Sequence, residues 1–428
     1  MKHFIKFIIF SVLVVAIAFF IHKFSRSYSL NIMYSDLEWV INTKGCNDAR
    51  AFDFDEDNNL YIAFKDKIKI IKNDSKEVQL INNSDLNIYD IIYDNNNLII
   101  STDNRVLQYD LEENTYTEII NNLPNEGLNK EIELALYNNC LYISIGSNTN
   151  SGVVEREGDP YDIPTFQWVL SGEFFGENKT GAFSEYSTFI KKGEKINEAK
   201  ISSGSLLKYD LNSKEVVTYA SGIRNIKGIA FNSDNDLLAI VGGMEYSGIR
   251  PISNDSDYIY KLREKHWYGW PDFSGGDPIN SERFSDGGII NKFLILNHPS
   301  EVPYGPIYQH FSVSSLKGFA IDTNGEVLKK DNGIFADNKE NYLYELSKSG
   351  VAKMIVDLGD NSYVEQIKSK GSAIYVLDSK AGNIYKLQNK GINSLFNLPK
   401  VLWVFLIIFI LVIIVSIVYK VKIKEIKG

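Results

Sequence analysis

The sequence predicts an all-β chain, a six-bladed β-propeller with flanking transmembrane helices, on three observations. Short runs of Tyr, Phe, Ile and Val alternate with Asn, Asp, Gly and Lys, the composition of strands joined by tight turns. A strand–turn–strand pattern recurs six times along the body, and an apolar, uncharged segment lies near each end. The 428 residues, 44% hydrophobic and 23% charged, have ordinary globular composition, which excludes collagen-like, coiled-coil and disordered chains.

The first element, residues 1–26, has a short basic start (Lys2, Lys6), an apolar run at 7–21, and then His22, Lys23 and Arg26. It reads as a signal anchor or a cleaved signal peptide. Ala16 and Ala18 form a small-x-small site, but Phe19, Phe20 and Ile21 carry the apolar run past it. The last element, residues 400–428, contains nineteen uncharged positions at 401–419, long enough at about 1.5 Å per residue to cross a bilayer core of about 30 Å. Lys420, Lys422, Lys424 and Lys427 follow it and place the C-terminus in the cytoplasm, with the body 27–399 outside and the protein at the cell membrane.

That body holds 36 basic and 53 acidic side chains, a net of −17, once four basic residues of 1–26 and the five Lys and one Glu of 400–428 are set aside. So acidic a surface excludes nucleic acid as a partner. The bilayer, through the terminal helices, is one expected partner. Cys46 and Cys140 stand 94 residues apart; one bridge is permitted outside the cell, and two unpaired buried thiols are the simpler reading.

Within the body the repeated pattern is a strand, an Asn/Asp-rich turn and another strand, as in AFDFDEDNNLYIAF at 51–64 and DIIYDNNNLIIST at 90–102. Matching strands start at Leu60, Leu98, Leu141, Leu237, Gly333 and Ala373. Three spacings are about one four-stranded blade of about 40 residues, and two are a blade plus an insertion of about 50. A closed ring leaves few exposed edges, and its closure brings the chain ends into one blade. The insertions, at about 147–203 and 243–314, are rich in Gly, Pro and Trp and are expected to form the site above one face.

Two clusters could carry chemistry. Residues 246–278 gather Arg250, Asp255, Asp257, Arg263, Trp267, Tyr268, Trp270 and Asp272 around a Trp-Pro and a Gly-Gly turn, suited to a flat or polyhydroxylated ligand or to a satellite core. SGIRNIKGIAF at 221–231 sets Arg224 and Asn225 before a strand, where an Arg could grip a carboxylate or tie two blades together. Asp53-x-Asp55-x-Asp57 begins like a calcium loop, but Phe64 stands where a bidentate Glu is needed, so it is a blade turn. Zinc, phosphate-loop and serine-hydrolase motifs do not occur.

These residues also carry a resemblance. GLNKEIELALYNNCLYISIGS, GENKTGAF, GSLLKYDL, SGIRNIKGIAF, and GIRP followed by WYGWPDFSGG, in that order over about 120–345, resemble the bacterial glucose/sorbosone dehydrogenase family. The family are six-bladed propellers that bind pyrroloquinoline quinone (PQQ) and calcium and oxidise sugars. The resemblance implies that Arg224 and Asn225 contact the quinone, that Arg250 and Trp267 help form its pocket, and that Asp257 serves a calcium site.

The departures matter. The family's proton-accepting His falls at Asn129, and an amide is not a base near neutral pH. No His occurs between His22 and His266, so the body offers only His266, His298 and His310, or a carboxylate such as Glu131 or Glu133. The Pro that usually follows Arg-Asn is Ile226. Two functions follow: a membrane-anchored, quinone-dependent sugar or polyol oxidoreductase, or a non-catalytic module on the same scaffold that binds a sugar-like molecule or an extracellular protein or glycan. The second resembles the use of this propeller in Hedgehog-interacting proteins.

Overall fold

The computed structural model describes residues 30–390. Six four-stranded meanders are set around an axis. Their innermost strands are Ala51–Phe54, Asp90–Asp94, Leu134–Tyr137, Ile226–Phe231, Leu316–Ile321 and Val364–Lys370, for blades 1 to 6. All six strands picked out by the repeat are the second strands of these blades: Leu60–Ala63, Asn97–Ser101, Cys140–Ile145, Leu237–Val241, Gly333–Asp337 and Ala373–Asp378. Asn residues with positive φ make several of the intervening hairpins, among them Asn95 and Asn96 and, one blade on, Asn138 and Asn139.

Blade 6 closes the ring. Its outer strand, Leu37–Lys44, comes from the N-terminal end of the body and pairs with Asn383–Asn389 from the other, Leu37 opposite Asn389. The expected meeting of the chain ends in one blade is therefore present.

The interior lies between blades. Ile68 of blade 1 packs with Ile91 and Leu98 of blade 2, Ile99 with Leu141, Leu206 with Ala239, Ile240 with Phe335, Ile334 with Ile374, and Leu377 with Phe52. Five of the junctions are also clasped by a side-chain oxygen that accepts a backbone N–H from the next inner strand. Asp53 takes Tyr93 N at 2.9 Å, Asp90 takes Leu134 N at 2.9 Å, and Asp257 takes Leu316 N at 2.9 Å. Asn338 takes Val364 N at 2.8 Å, and Gln366 takes Phe52 N at 2.8 Å. A buried N–H must find a partner, so these acceptors set the position of each blade against the next.

The inner strands all begin at one face of the ring, where Arg50, Tyr89, Glu133, Lys317 and Tyr363 surround one mouth of the channel. They end at the opposite mouth, among Tyr137, Phe231, Thr323 and Gly371. The two insertions rise from the first face as one lobe. Leu170 bridges Ile295, and Trp168, Phe183, Trp267, Trp270, Phe284 and Leu294 share its core. The described chain starts on the lobe side, where Asn31 pairs with Asp357 at the outer edge of blade 5, and its last strand ends at Asn389 on the opposite face.

Cys46 and Cys140 are both free thiols. Asp55 closes its hairpin through Asn59 N at 2.8 Å, the blade turn expected at 53–57. Among the described residues no helix is long and apolar enough to cross a membrane. The terminal segments expected to do so, within 1–26 and 400–428, lie outside the described residues.

Candidate functional site

At the mouth where the inner strands begin, each blade contributes residues at or just before its inner strand. Arg50, Tyr89, Asp90, Glu131, Glu133, Lys317, Tyr363, Glu365 and Gln366 enclose a cavity of about 140 Å³, and Lys227 of blade 4 reaches Glu131 at 3.0 Å. Lys317 bridges two carboxylates, Glu365 at 2.7 Å and Glu131 at 3.3 Å. Burial alone would lift the Glu131 carboxyl, but Lys317 and Lys227 overcome it and hold it at about 2. Burial would likewise lower Lys317, and Glu131 and Glu365 reverse it, so that its pKa is raised.

The other two acids form no ion pair among the described residues, and Lys368 near Asp90 and Lys317 near Glu133 offset their burial only in part. Asp90 is raised by burial, and its oxygens accept Ile91 N and Gln366 Nε2 at 2.7 Å and Leu134 N at 2.9 Å. Glu133 is pushed up to about 8 by burial and by the charge of Asp90. Arg50 leans over the Tyr89 ring and spends Nη1 on Asn87 and on Ile88 O, both at 2.8 Å. Of these residues only Glu131 and Glu133 were visible as candidates in the sequence. Arg50, Lys317 and Glu365 hold the same register in different repeats, a signal that appears only when the blades are laid over one another.

The junction between blades 3 and 4 is closed by the motif residues themselves. Asn129 donates Nδ2 to Ser147 O at 3.1 Å and to Ser147 Oγ at 3.0 Å, and its Oδ1 accepts Asn225 Nδ2 at 2.9 Å. Ser147 N in turn donates to Arg224 O at 2.7 Å. Residues 147–151 form a hub: Asn150 O accepts both Arg224 Nε at 3.3 Å and Trp270 Nε1 at 3.1 Å, and Ser151 Oγ donates to Arg250 O at 2.7 Å. A Cβ at Gly146 would lie 2.3 Å from Asn129 O, so only glycine lets the two segments meet. Asn129, Arg224 and Asn225 are 8%, 4% and 5% exposed, and Asn225 Oδ1 has no partner among the described residues.

Arg250 and Trp267 belong to the lobe. The Arg250 side chain is fully buried, with Nη2 on Asp272 and on Lys292 O, both at 3.1 Å. Asp272 also accepts Leu294 N, Ile295 N and His298 Nε2. Trp267 stacks on His298 and lies against Gly222, whose φ of +66° and contact with the indole both require glycine. Asp257 holds four backbone N–H groups, Gly243 and Ser314 on one oxygen and Ser315 and Leu316 on the other, at 2.8–3.2 Å. His310 is buried between Asp337 and Tyr308, and His266 rests on Glu264 O, so none of the three histidines reaches the axial mouth. A second cleft, of about 360 Å³, runs beside the hub between Leu128, Asn148, Asn150, Glu155 and Glu245.

No protein-family model matches the chain, and no curated protein matches it. Solved structures do. The soluble aldose sugar dehydrogenase of Escherichia coli, in its apo form, is 13% identical with a TM-score of 0.58, over 83% of this chain and 100% of that one. The PQQ domain of pyranose dehydrogenase from Coprinopsis cinerea, in its holo form, is 12% identical with a TM-score of 0.56, over 84% and 97%. The carbohydrate-active enzyme of family AA12 from Trichoderma reesei, in its calcium structure, is 14% identical with a TM-score of 0.58, over 85% and 98%. This is the fold of the PQQ sugar dehydrogenases.

The sugar-dehydrogenase fold is shared, but the donors needed for quinone and calcium are not offered. The resemblance gives the quinone to Arg224 and Asn225, and neither lines the axial cavity or the cleft. The cavity itself presents four carboxyl groups against Arg50 and Lys317, a poor host for a polycarboxylate cofactor. Calcium needs six or more oxygen ligands. Asp257 has both oxygens taken by amides, and among the described residues no group of three or more His, Cys, Asp or Glu could hold a metal.

Proposed function

We propose that this chain is a sugar- or polyol-binding propeller, tethered outside the cell, whose ligand enters the axial mouth and is not oxidised through a quinone. The bonding of Asn129 carries this reading. At the position where the resemblance expects a proton-accepting His, the amide spends its hydrogens on Ser147 and its oxygen on Asn225, which leaves no group there to take a hydroxyl proton.

The axial cavity supports the ligand class. Tyr363, 40% exposed, and Tyr89 offer ring faces for the C–H surface of a sugar. Glu133, Glu365 and Arg50 bring acceptors and donors to the same space, as small polar ligands require. The tether remains a reading of the terminal apolar segments.

The test is titration of the full chain in detergent with D-glucose and D-sorbitol, with Tyr363→Ala as control, followed by a dye-reduction assay after incubation with PQQ and calcium. Polyol binding weakened about tenfold by Tyr363→Ala, with no sugar-dependent dye reduction, is expected. Sugar-dependent dye reduction would overturn the binding-only reading, and absence of polyol binding would overturn the ligand class.

A further inference from the structure

Glu133 is held in a way that its neighbours are not. Its backbone is pinned on both sides by Ser144, with N on Ser144 Oγ at 2.8 Å and O accepting Ser144 N at 3.0 Å. Its carboxyl group lines the axial cavity and makes no hydrogen bond or ion pair among the described residues. Every nearby cation has another partner. Lys227 and Lys317 are on Glu131, Lys317 is also on Glu365, Lys368 is on Asp53 at 3.1 Å, and Arg50 is on Asn87 and Ile88.

Groups from all six blades face this carboxyl: Arg50 from blade 1, Tyr89 and Asp90 from blade 2, and Glu131 beside it in blade 3. Lys227 stands in blade 4, Lys317 in blade 5, and Tyr363, Glu365 and Gln366 in blade 6. Asp90 has its oxygens filled by amide donors, and Glu131 and Glu365 are neutralised by lysines. A carboxylate in such a cavity, beside Asp90 and with no cation of its own, is less stable than the acid, in keeping with a value of about 8. The acid form has an O–H to donate and a carbonyl oxygen to accept, a match for an alcohol hydroxyl.

We propose that Glu133 is the ligand contact of the axial cavity, binding a hydroxyl of an uncharged polyol through its protonated carboxyl, so that alkaline conditions release the ligand. This rests on the polyol reading of the axial mouth. The cavity, at about 140 Å³ against about 30 Å³ for one water, takes the edge of a single sugar ring or a short polyol.

The experiment is titration of the full chain with D-sorbitol and with D-gluconate at pH 6 and pH 9.5, on wild type, Glu133→Gln and Glu133→Ala. Infrared difference spectra between the two pH values follow the protonated carboxyl band in the absence of ligand. Sorbitol affinity of the wild type is expected to fall roughly thirtyfold at pH 9.5, the fraction of acid form left there. Glu133→Gln, neutral at both pH values, keeps binding with a flat profile, Glu133→Ala loses it, and gluconate binds more weakly than sorbitol. The infrared band is expected to lose its Glu133 component in Glu133→Gln and to keep that of Asp162, whose value of about 7 also lies between the two pH values. A pH-independent wild-type affinity, or a carboxyl band of unchanged size in Glu133→Gln, would overturn the role of Glu133 while leaving polyol binding standing. If sorbitol and gluconate both fail to bind at both pH values, the polyol reading itself falls, and the inference with it.

Discussion

Asn225 donates its amide to Asn129 across the boundary of blades 3 and 4, Nδ2 to Oδ1 at 2.9 Å, and this bond closes the junction that elsewhere is held by a backbone N–H of the next inner strand donating to a side-chain oxygen. The pair is thus a structural clasp built from motif residues. Asn129→Ala strands Asn225 Nδ2 and both Ser147 acceptors in a buried space, and is expected to lower stability by about 1–3 kcal/mol in chemical denaturation. The double variant with Asn225→Ala is expected to cost less than the two single losses together, because the second change removes a group already unpaired. Strict additivity would show that the two amides are not coupled.

Lys317 binds blades 3, 5 and 6 through Glu131 and Glu365. Lys317→Met leaves Glu365 without its cation and Glu131 with Lys227 alone. The expected loss at neutral pH is about 2–3 kcal/mol, less than for a fully buried pair because the Glu131 side chain is 38% exposed and water screens it. The sign in acid is fixed by Glu131, whose value of about 2 lies below its unfolded value. Its contribution is complete above pH 4.5 and disappears as the pH falls towards 2, so the gap between wild type and variant should close over that window. Melting curves at pH 7, 4 and 2.5 measure it, and a gap that stays constant would contradict the assignment.

Asp257 was expected at a calcium site, and the structure surrounds it with four backbone N–H donors of the blade 4–5 junction. Asp257→Asn turns an amide N–H₂ towards two of those donors. It should cost about 1.5–3 kcal/mol, the worth of hydrogen bonds to a charged group. The loss should be the same in excess calcium and in chelator, and the wild-type Tm should not respond to either. A calcium-dependent rise in wild-type Tm that Asp257→Asn removes would restore the metal reading.

The blades were legible because each second strand is a complete local pattern. Leu60, Leu98, Leu141, Leu237, Gly333 and Ala373 each follow a turn rich in Asn, Asp or Gly and lead an apolar run, and the ring needs nothing more to be counted. The site was legible only where its residues form a motif. Asn129, Arg224 and Asn225 stand in such segments, and two of them meet. Arg50, Lys317 and Glu365 do not, since each is a single charged residue before or within a strand that looks like a solvated position until ring closure brings the six strand starts together. Arg250 shows the opposite case. It belongs to a dense motif, yet its guanidinium serves the lobe core, a choice made by Asp272 and by carbonyls far away in sequence.

Asp162 organises the hub from below, taking Asn148 N at 2.6 Å and both Thr149 N and Thr149 Oγ1. Burial pushes its carboxyl up to about 7 despite these donors. The native state therefore binds a proton more tightly than the unfolded chain, in which an Asp titrates near 3.8. Its contribution to stability is full below pH 3.8 and declines as the pH rises to about 7, by at most about 1.4 kcal/mol per pH unit, and is level above that. Asp162→Asn removes this slope but keeps one acceptor oxygen. Relative to wild type the variant should fare worst in acid and gain steadily up to neutral pH. Denaturant titrations at pH 4.5, 6, 7 and 8.5 check this, and a difference that does not change with pH would place the proton on another group.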